Sequence, residues 1–454
     1  MTAPPGTLRT LDNAVITAGG EIEKRQAFGF FANVPSETKG LAFLNNNLVV
    51  FGLSAPAPAL PAHVTYHQLV TTTPGTLDRI LDVQVFQKQL YVVARLSGGE
   101  IIHFYNGTEI LVPTGTAVHP FGAKMYSLEG ADLRFSAVND ATDWDTAAGY
   151  GLLDVTAEDA EATELVGLAE YYGQLALFGR KTIQIWAMDP DPLQNARAQT
   201  IGNVGLVAPH GAARYGSGDV LFLADTGIRS LRARNSSNAA SVNDIGSPVD
   251  ELIQARRAVL TPTLAEKIDA LVDPLTGRFW MIFGDTIYVL SAFPNTQVSA
   301  WSTFMLPGEA DYVTLANSRV AVRIGDEIRV YGPLPTNGDN PFDPNTPLGT
   351  TAAYDEAQVT IETPFLDIGM PATTKVWEQL DVSAEGSFTV QVNPDYGSAA
   401  AAWVTIAQID APTWRLEQIP IEMSSTHIAV RLVSNGSTVH RVASMALHYQ
   451  EGDT

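Results

Sequence analysis

The sequence predicts an all-β chain, a β-propeller of about six or seven blades followed by a C-terminal antiparallel β-sandwich domain. Three observations predict it. A hairpin unit recurs through the first three quarters of the chain. Gly (37) and Pro (27) are plentiful while only 17% of residues are charged. The pattern then changes after a stretch dense in Pro, Asn and Gly. Many short strands joined by tight turns suit this composition better than long helices, which draw on Lys, Glu, Arg and Leu at helical spacing. At 454 residues there is room for two or three domains, each with its own core.

The recurring unit is an apolar strand, a turn containing Gly or Asp, and a second strand opening on Ile or Leu. Its clearest copies are residues 279–283 and 287–290 around Gly284-Asp285, and 320–324 and 328–331 around Gly325-Asp326. Gly-Asp is a favoured two-residue hairpin turn because the central backbone needs φ > 0. Looser copies join 90–94 to 101–105, 175–178 to 183–186, and 220–223 to 228–231. Weaker ones lie at 48–51, after an Asn45-Asn46-Asn47 turn, and at 125–128 with 133–135. The markers Ile101, Leu133, Ile183, Ile228, Ile287 and Ile328 fall irregularly, at roughly one blade length (~40–50 residues). Sheets of about four short strands cannot bury both faces alone, and stacking them around an axis solves this and protects their edges. A plain β-sandwich of meandering hairpins is the alternative.

Outside the repeat, residues 1–36 read as an N-terminal arm or a ring-closing strand, with one strand-like stretch at 14–17. The propeller is assigned to 37–332. A helical insertion is predicted near 247–257, with Ser247 as N-cap, Pro248 in the first turn and Asp250 and Glu251 following. Residues 333–350, PLPTNGDNPFDPNTPLGT, read as a linker or long loop. The sandwich is assigned to 351–454, with strands at 359–365, 377–382, 387–392, 403–406, 428–432 and 443–449 and turns at 384–386 and 434–436.

Candidate chemistry is sparse. There are no cysteines, which excludes disulfides, thiolate nucleophiles and Cys-type metal sites. His63 and His67, four apart, are a metal-binding pair only on a helix, and Pro61, Val64, Thr65 and Tyr66 favour strand or loop there. His103, His119, His210, His427, His440 and His448 stand singly and read as core or interface residues. The acidic groups Asp140, Asp143 and Asp145 around Trp144, Asp189 with Asp191, and Asp339 with Asp343 offer loop oxygens to Ca²⁺, but turn chemistry explains them better. No G-x-S-x-G elbow, H-E-x-x-H helix, P-loop or G-x-G-x-x-G fingerprint occurs. Glycosidase propellers use paired carboxylates, yet the Ser-x-Asp-x-Gly-x-Thr-Trp box of sialidase-type propellers is absent. No catalytic, metal or cofactor-binding residue is assigned, no cofactor is expected, and the chain is expected not to be an enzyme.

The formal net charge is −22, from 49 acids against 27 Lys and Arg. Gripping nucleic acid along a surface needs the opposite sign; acidity serves solubility, or a wall past which DNA slides without sticking. MTAPPGTLRT does not read as a signal peptide, and no run of about 18 apolar residues predicts a membrane span. The protein is expected to be made in, and accumulate in, the cytoplasm.

In order along the chain, several stretches resemble the tail nozzle or packaged-DNA stabilisation (tail hub) proteins of short-tailed phages. NAVI at 13–16 leads to Gly19-Gly20 and the basic pair Lys24-Arg25, similar to that family's basic dipeptide before its first blade. LRFS at 133–136 with Asp140, Asp143 and Trp144 resembles its serine, acidic-loop and tryptophan pattern. LVGL at 165–168, LALF at 175–178, IQIW at 183–186, GLVA at 205–208 and LFLA at 221–224 form the best match. Thr363-Pro364-Phe365 and Trp377 open the last domain in a similar way. These motifs report strand order more than chemistry. The resemblance implies a non-enzymatic virion protein of the tail, a homo-oligomer (a hexameric ring) below the portal and adaptor. Its channel would retain packaged DNA and conduct it during ejection, the DNA passing through without sequence-specific binding. The chain is short for the family, so an elaborate receptor-binding tip is not expected. A glycan-binding or glycan-degrading propeller on the virion surface is the alternative.

Overall fold

The computed structural model describes residues 8–451, apart from 55–58, 147–148, 156–163, 238–244, 297, 336–337, 347–352, 395–402, 414–416 and 435. The described residues form an all-β protein of many sheets, 54% strand and 6% helix.

The predicted hairpins set the local pattern. Phe283 pairs Thr286 across Gly284-Asp285, and Ile324 pairs Glu327 across Gly325-Asp326. Both glycines take positive φ, 65° and 59°, where a Cβ would be strained. Asn45 and Asn46, both left-handed, close the same kind of turn between Leu44 and Asn47. Several strands of these hairpins are buried on both faces: every residue of Phe279–Phe283 is buried, as are all but the first of Gln174–Gly179. That explains why they read as continuous apolar runs.

Seven small sheets follow one another: a first at 39–68, a second at 77–110, a third at 117–154, a fourth at 165–202, a fifth at 212–230, a sixth at 268–305 and a seventh at 312–331. Phe28–Asn33 adds the outer strand of the seventh, antiparallel to Glu327–Tyr331. Each sheet packs its first strand against that of a neighbour, and Tyr312–Ala316 of the seventh returns to Lys39–Leu44 of the first. Seven hydrophobic clusters each bridge two consecutive sheets. Trp144 of the third sheet packs with Tyr91 and Val93 of the second. By the same rule Leu48 and Val50 of the first pack with Ala321 and Ile328 of the seventh.

The chain ends meet. Thr10–Asp12 lies between the sixth sheet and the C-terminal strands, pairing Asp12 with Thr303 and Leu11 with Ile361, so that one nine-stranded sheet runs from 268–305 through 360–362, 429–434, 388–393 and 404–409. Ala14–Ile16 and Ile22–Lys24 join Arg441–Glu451, Lys375–Glu385 and Glu417–Ser425 in a five-stranded sheet. The two C-terminal sheets share one core, with Val390 and Leu432 from one and Trp377, Leu380 and Ile419 from the other.

Lys24 and Arg25, both 2% exposed, fasten this junction. Arg25 donates to Asn13 Oδ1 (3.0 Å), Gln26 O (2.7 Å), Met305 O (3.0 Å) and Asp355 Oδ2 (2.8 Å), and its guanidinium lies 5.2 Å from the Phe28 ring centroid. Lys24 Nζ donates to Asp355 O (2.8 Å) and Gly436 O (2.7 Å).

Four expectations change. Of the two readings of residues 1–36, an arm or a ring-closing strand, the free arm does not hold for 8–36, which supply one strand to the seventh sheet and three to the C-terminal sheets; residues 1–7 lie outside the described residues. The 333–350 segment is not a free linker. Its described part has no strand, but Phe342 is 1% exposed, 5.2 Å from Phe31, and Arg319 donates to Pro341 O (3.0 Å) and Pro333 O (2.6 Å). Near 247–257 a helix does form, Asp250–Arg257, after a short turn at 247–249, but Val249 rather than Ser247 occupies its cap position and caps with no side chain. Asp250 instead grips Arg229 through two 2.8 Å bonds, and Leu231, expected to end a strand, begins the helix Leu231–Ser237. These helices pack on the last strands of the three-stranded fifth sheet, where its neighbours carry a fourth strand. Finally, Glu417–Ser425 is a strand that the sequence pattern does not predict, because Pro420 interrupts it; the strand lies at a sheet edge, where a missing N–H is tolerated.

Arg25→Met should lower unfolding free energy by about 3 kcal/mol, the scale for removing one partner of a buried pair. Urea titration of the full chain checks this, and Arg25→Lys should recover less than half, since a lysine cannot reproduce the fork.

Candidate functional site

A cavity of about 530 Å³ opens among the first strands of the first, second, sixth and seventh sheets, with His210 at its side. Its charged lining begins in Leu77–Phe86. Two register shifts, between Leu77 and Arg79 and between Ile80 and Asp82, break the strict alternation of this strand. Arg79 and Asp82, three positions apart, therefore both line the cavity.

Arg79, 8% exposed, donates to the carbonyls of Glu266 (2.9 Å) and Asp311 (3.0 Å). Its guanidinium stands 4.8 Å from the Tyr312 ring centroid and 3.5 Å from Glu266 Oε2. Glu266 is also held by Arg95 through bonds of 2.6 and 3.0 Å. Lys267 pairs Asp311 at 2.8 Å. Burial works against the Asp311 carboxylate, but Lys267 and the Gly325 amide outweigh it and hold the carboxyl below its ordinary range.

The remaining groups lack such a cation. Asp82 accepts from Val118 N (2.8 Å) and Gln84 Nε2 (3.0 Å). His210 Nε2 lies 2.7 Å from Leu81 O, and His210 forms a parallel bridge with Asp269. Burial, opposed by His210 and the Ala270 amide, pushes the Asp269 carboxyl up to about 7. For His210 burial disfavours charge, but Asp82, Asp269 and the Leu81 carbonyl prevail and raise its affinity for a proton. His119, on the first strand of the third sheet, is depressed by burial despite Asp82 and Glu170.

Of the residues singled out in the sequence, His210 lines this cavity; the others lie elsewhere or are already engaged. His63 has left-handed backbone (φ 61°) just before the strand Val64–Gln68, with Nε2 3.4 Å from Gly338 O; His67, inside that strand, meets the Phe51 ring edge-on at 5.9 Å. Asp140 accepts from the Thr142 amide (2.9 Å) and hydroxyl (2.6 Å), and Asp143 from the Asp145 and Thr146 amides. Asp189 accepts from Asp191 N, Asp191 from Leu193 N and Asp343 from Asn345 N. Such bonds are turn-forming. Among the described residues no group of three or more His, Asp or Glu is placed to hold a metal ion. His103 is fully buried, between Tyr91 Oη (3.0 Å) and Gly115 O (2.8 Å). His448 pairs Asp381 at 2.9 Å, His440 packs on Phe388, and His427 contacts Thr426. Asp82 and Asp269, which line the cavity with His210, escaped sequence reasoning because they come from different sheets and share no local spacing.

No helix among the described residues is long and apolar enough to cross a membrane. Compared with known proteins, the chain matches no family model and no curated sequence.

Burial holds His103 down to about 4, against an ordinary 6.5. The unfolded chain takes up this proton first, so the contribution is complete above pH 6.5 and is lost as pH falls towards 4. About 3 kcal/mol of stability should disappear across that window from this residue. Denaturant titrations at pH 7 and pH 4 measure it, and His103→Gln should flatten the acid limb while lowering stability at pH 7.

Proposed function

We propose that this chain is a non-enzymatic structural protein of a phage particle, a nozzle subunit built on a seven-bladed β-propeller with a C-terminal β-sandwich. The observation that carries the propeller is the run of hydrophobic clusters, each shared by two consecutive sheets, with the last joining the seventh sheet to the first. The outer strand of that seventh sheet comes from the N-terminal segment, so sequence-distant strands complete one blade. A body fastened in this way suits a rigid ring segment. Six copies would continue the channel from portal and adaptor, retain packaged DNA and conduct it during ejection.

Charge supports this role. Among the described residues nine Lys and Arg are buried against five Asp and Glu, so the exposed surface is more acidic than the −22 of the whole chain implies. An acidic surface facing the channel repels the DNA backbone and keeps sliding friction low. The buried cations serve the fold, as Arg25, Arg319 and Arg323 do by donating to main-chain carbonyls.

One observation favours the glycan-binding reading. Tyr105, Glu109, Thr142, Trp144 and Asp145 line a second cavity of about 390 Å³, a set of residue types that suits sugars. Trp144, however, is 1% exposed and offers no face for a sugar to stack on.

Electron microscopy of the purified protein, or of particles containing it, should give sixfold rings with an open axial channel. Monomers that bind or cleave polysaccharide would replace this reading with the glycan one.

A further inference from the structure

Two surfaces on different sheets carry opposite charge, and each has exposed apolar side chains beside it. The first is the outer strand of the third sheet, Gly151–Asp154, which has no strand beyond it. Residues 117–154 hold six Asp and Glu against two Lys and Arg. Of these cations Lys124 is buried and Arg134 is paired with Glu129 at 3.1 Å. Asp132 faces Asp154 on one neighbouring strand and Glu129 on the other, so three carboxylates stand abreast. Like charges placed directly opposite destabilise a sheet, and a cation from outside relieves them. Leu152 lies on the same face as Asp154, two residues along, and is exposed, as is Tyr150.

The second surface is a cavity of about 260 Å³ between the turns at Arg180-Lys181 of the fourth sheet and Asp225-Thr226 of the fifth. Arg180 and Lys181 are both exposed. Two main-chain bonds, Val204 N to Lys181 O (3.0 Å) and Leu206 N to Gly179 O (2.9 Å), hold this basic turn in place. The one acid of the cavity, Asp225, is met by Arg257 at 3.0 Å. Arg180 has only an exposed pair with Glu164 (3.2 Å), of a kind worth little in water. Leu252, on the helix Asp250–Arg257, and Val259 just after it add exposed apolar area. Residues 180–257 carry nine Lys and Arg against seven Asp and Glu, a positive stretch in a chain of net charge −22.

The geometry points to a head-to-tail contact between copies of this chain, in which Leu152 and the carboxylates of Asp132 and Asp154 seat on the cavity at Arg180 and Lys181 of the next copy. Charge selects this occupant. Copies of −22 each repel unless a positive surface of one meets a negative surface of the other, and this chain carries both. Because the two surfaces differ and lie on different sheets, the contact is heterologous and repeats from copy to copy, as a ring requires. It rests on the ring-subunit reading above and supplies the contact between subunits.

Sedimentation velocity of the full chain at about 0.05 and 0.5 M NaCl reads this contact, and wild type should assemble less tightly in the higher salt. Asp154→Lys alone, and Arg180→Glu together with Lys181→Glu, should each weaken assembly at least about tenfold. The chain carrying all three changes should return to within about threefold of wild type. Assemblies that persist in both reversals overturn this contact and leave the ring reading standing, whereas a wild type that stays monomeric overturns both. A folded triple variant that stays apart overturns the contact as well. The native chain has no cysteine, so a reversal that does not fold is replaced by a direct measurement. Leu152→Cys and Lys181→Cys copies, mixed with oxidised glutathione, must give covalent dimers beyond those of either variant alone, and their absence overturns the contact.

Discussion

The buried guanidinium of Arg25 is the interaction on which the architecture turns. It sits where the N-terminal segment, the sixth sheet and the loop at Asp355 converge, and it satisfies an acceptor from each. A charge this deep is tolerable only with its donors used and its charge met, so the three segments must arrive together. Lys24 repeats the device one residue earlier, reaching Asp355 and Gly436. Once these contacts form, Thr10–Asp12 is held between Val298–Met305 and Thr360–Glu362, and the two ends of a long chain become one sheet.

The same economy runs through the molecule. Cations are fewer than acids, and several are placed inside, donating to main-chain carbonyls. Arg323 reaches Gly40 O and Thr38 O, tying the seventh sheet to the first; Lys375 collects the carbonyls of Met370, Thr373 and Thr426. The acids that remain outside lend the protein its strongly negative surface.

Legibility in the sequence follows burial. Strands buried on both faces, such as Thr182–Ala187 and Phe279–Phe283, stand out as apolar runs beside Gly or Asn turns. The first and last strands of each sheet do not: Ala196–Gly202 alternates exposed and half-buried residues, and Glu417–Ser425 carries a proline. The PNGD-rich segment after 333 reads as unable to pack because its backbone forms no ladder, yet Phe342 anchors it. Of the charged cavity lining the sequence singled out His210 but not Arg79 or Asp82, which a bulged strand places together against the usual alternation.

By itself the sequence determined the all-β class, the hairpin turns and their register, because these depend on residues within a few positions of one another. Tertiary structure alone decided where Phe28–Asn33 pairs, that the N-terminal strands belong with the C-terminal sheets, and that Asp82, His210 and Asp269 share one cavity. Those outcomes depend on partners far apart in the chain, selected by which buried charges and apolar faces can be satisfied at once, and no local spacing records that choice.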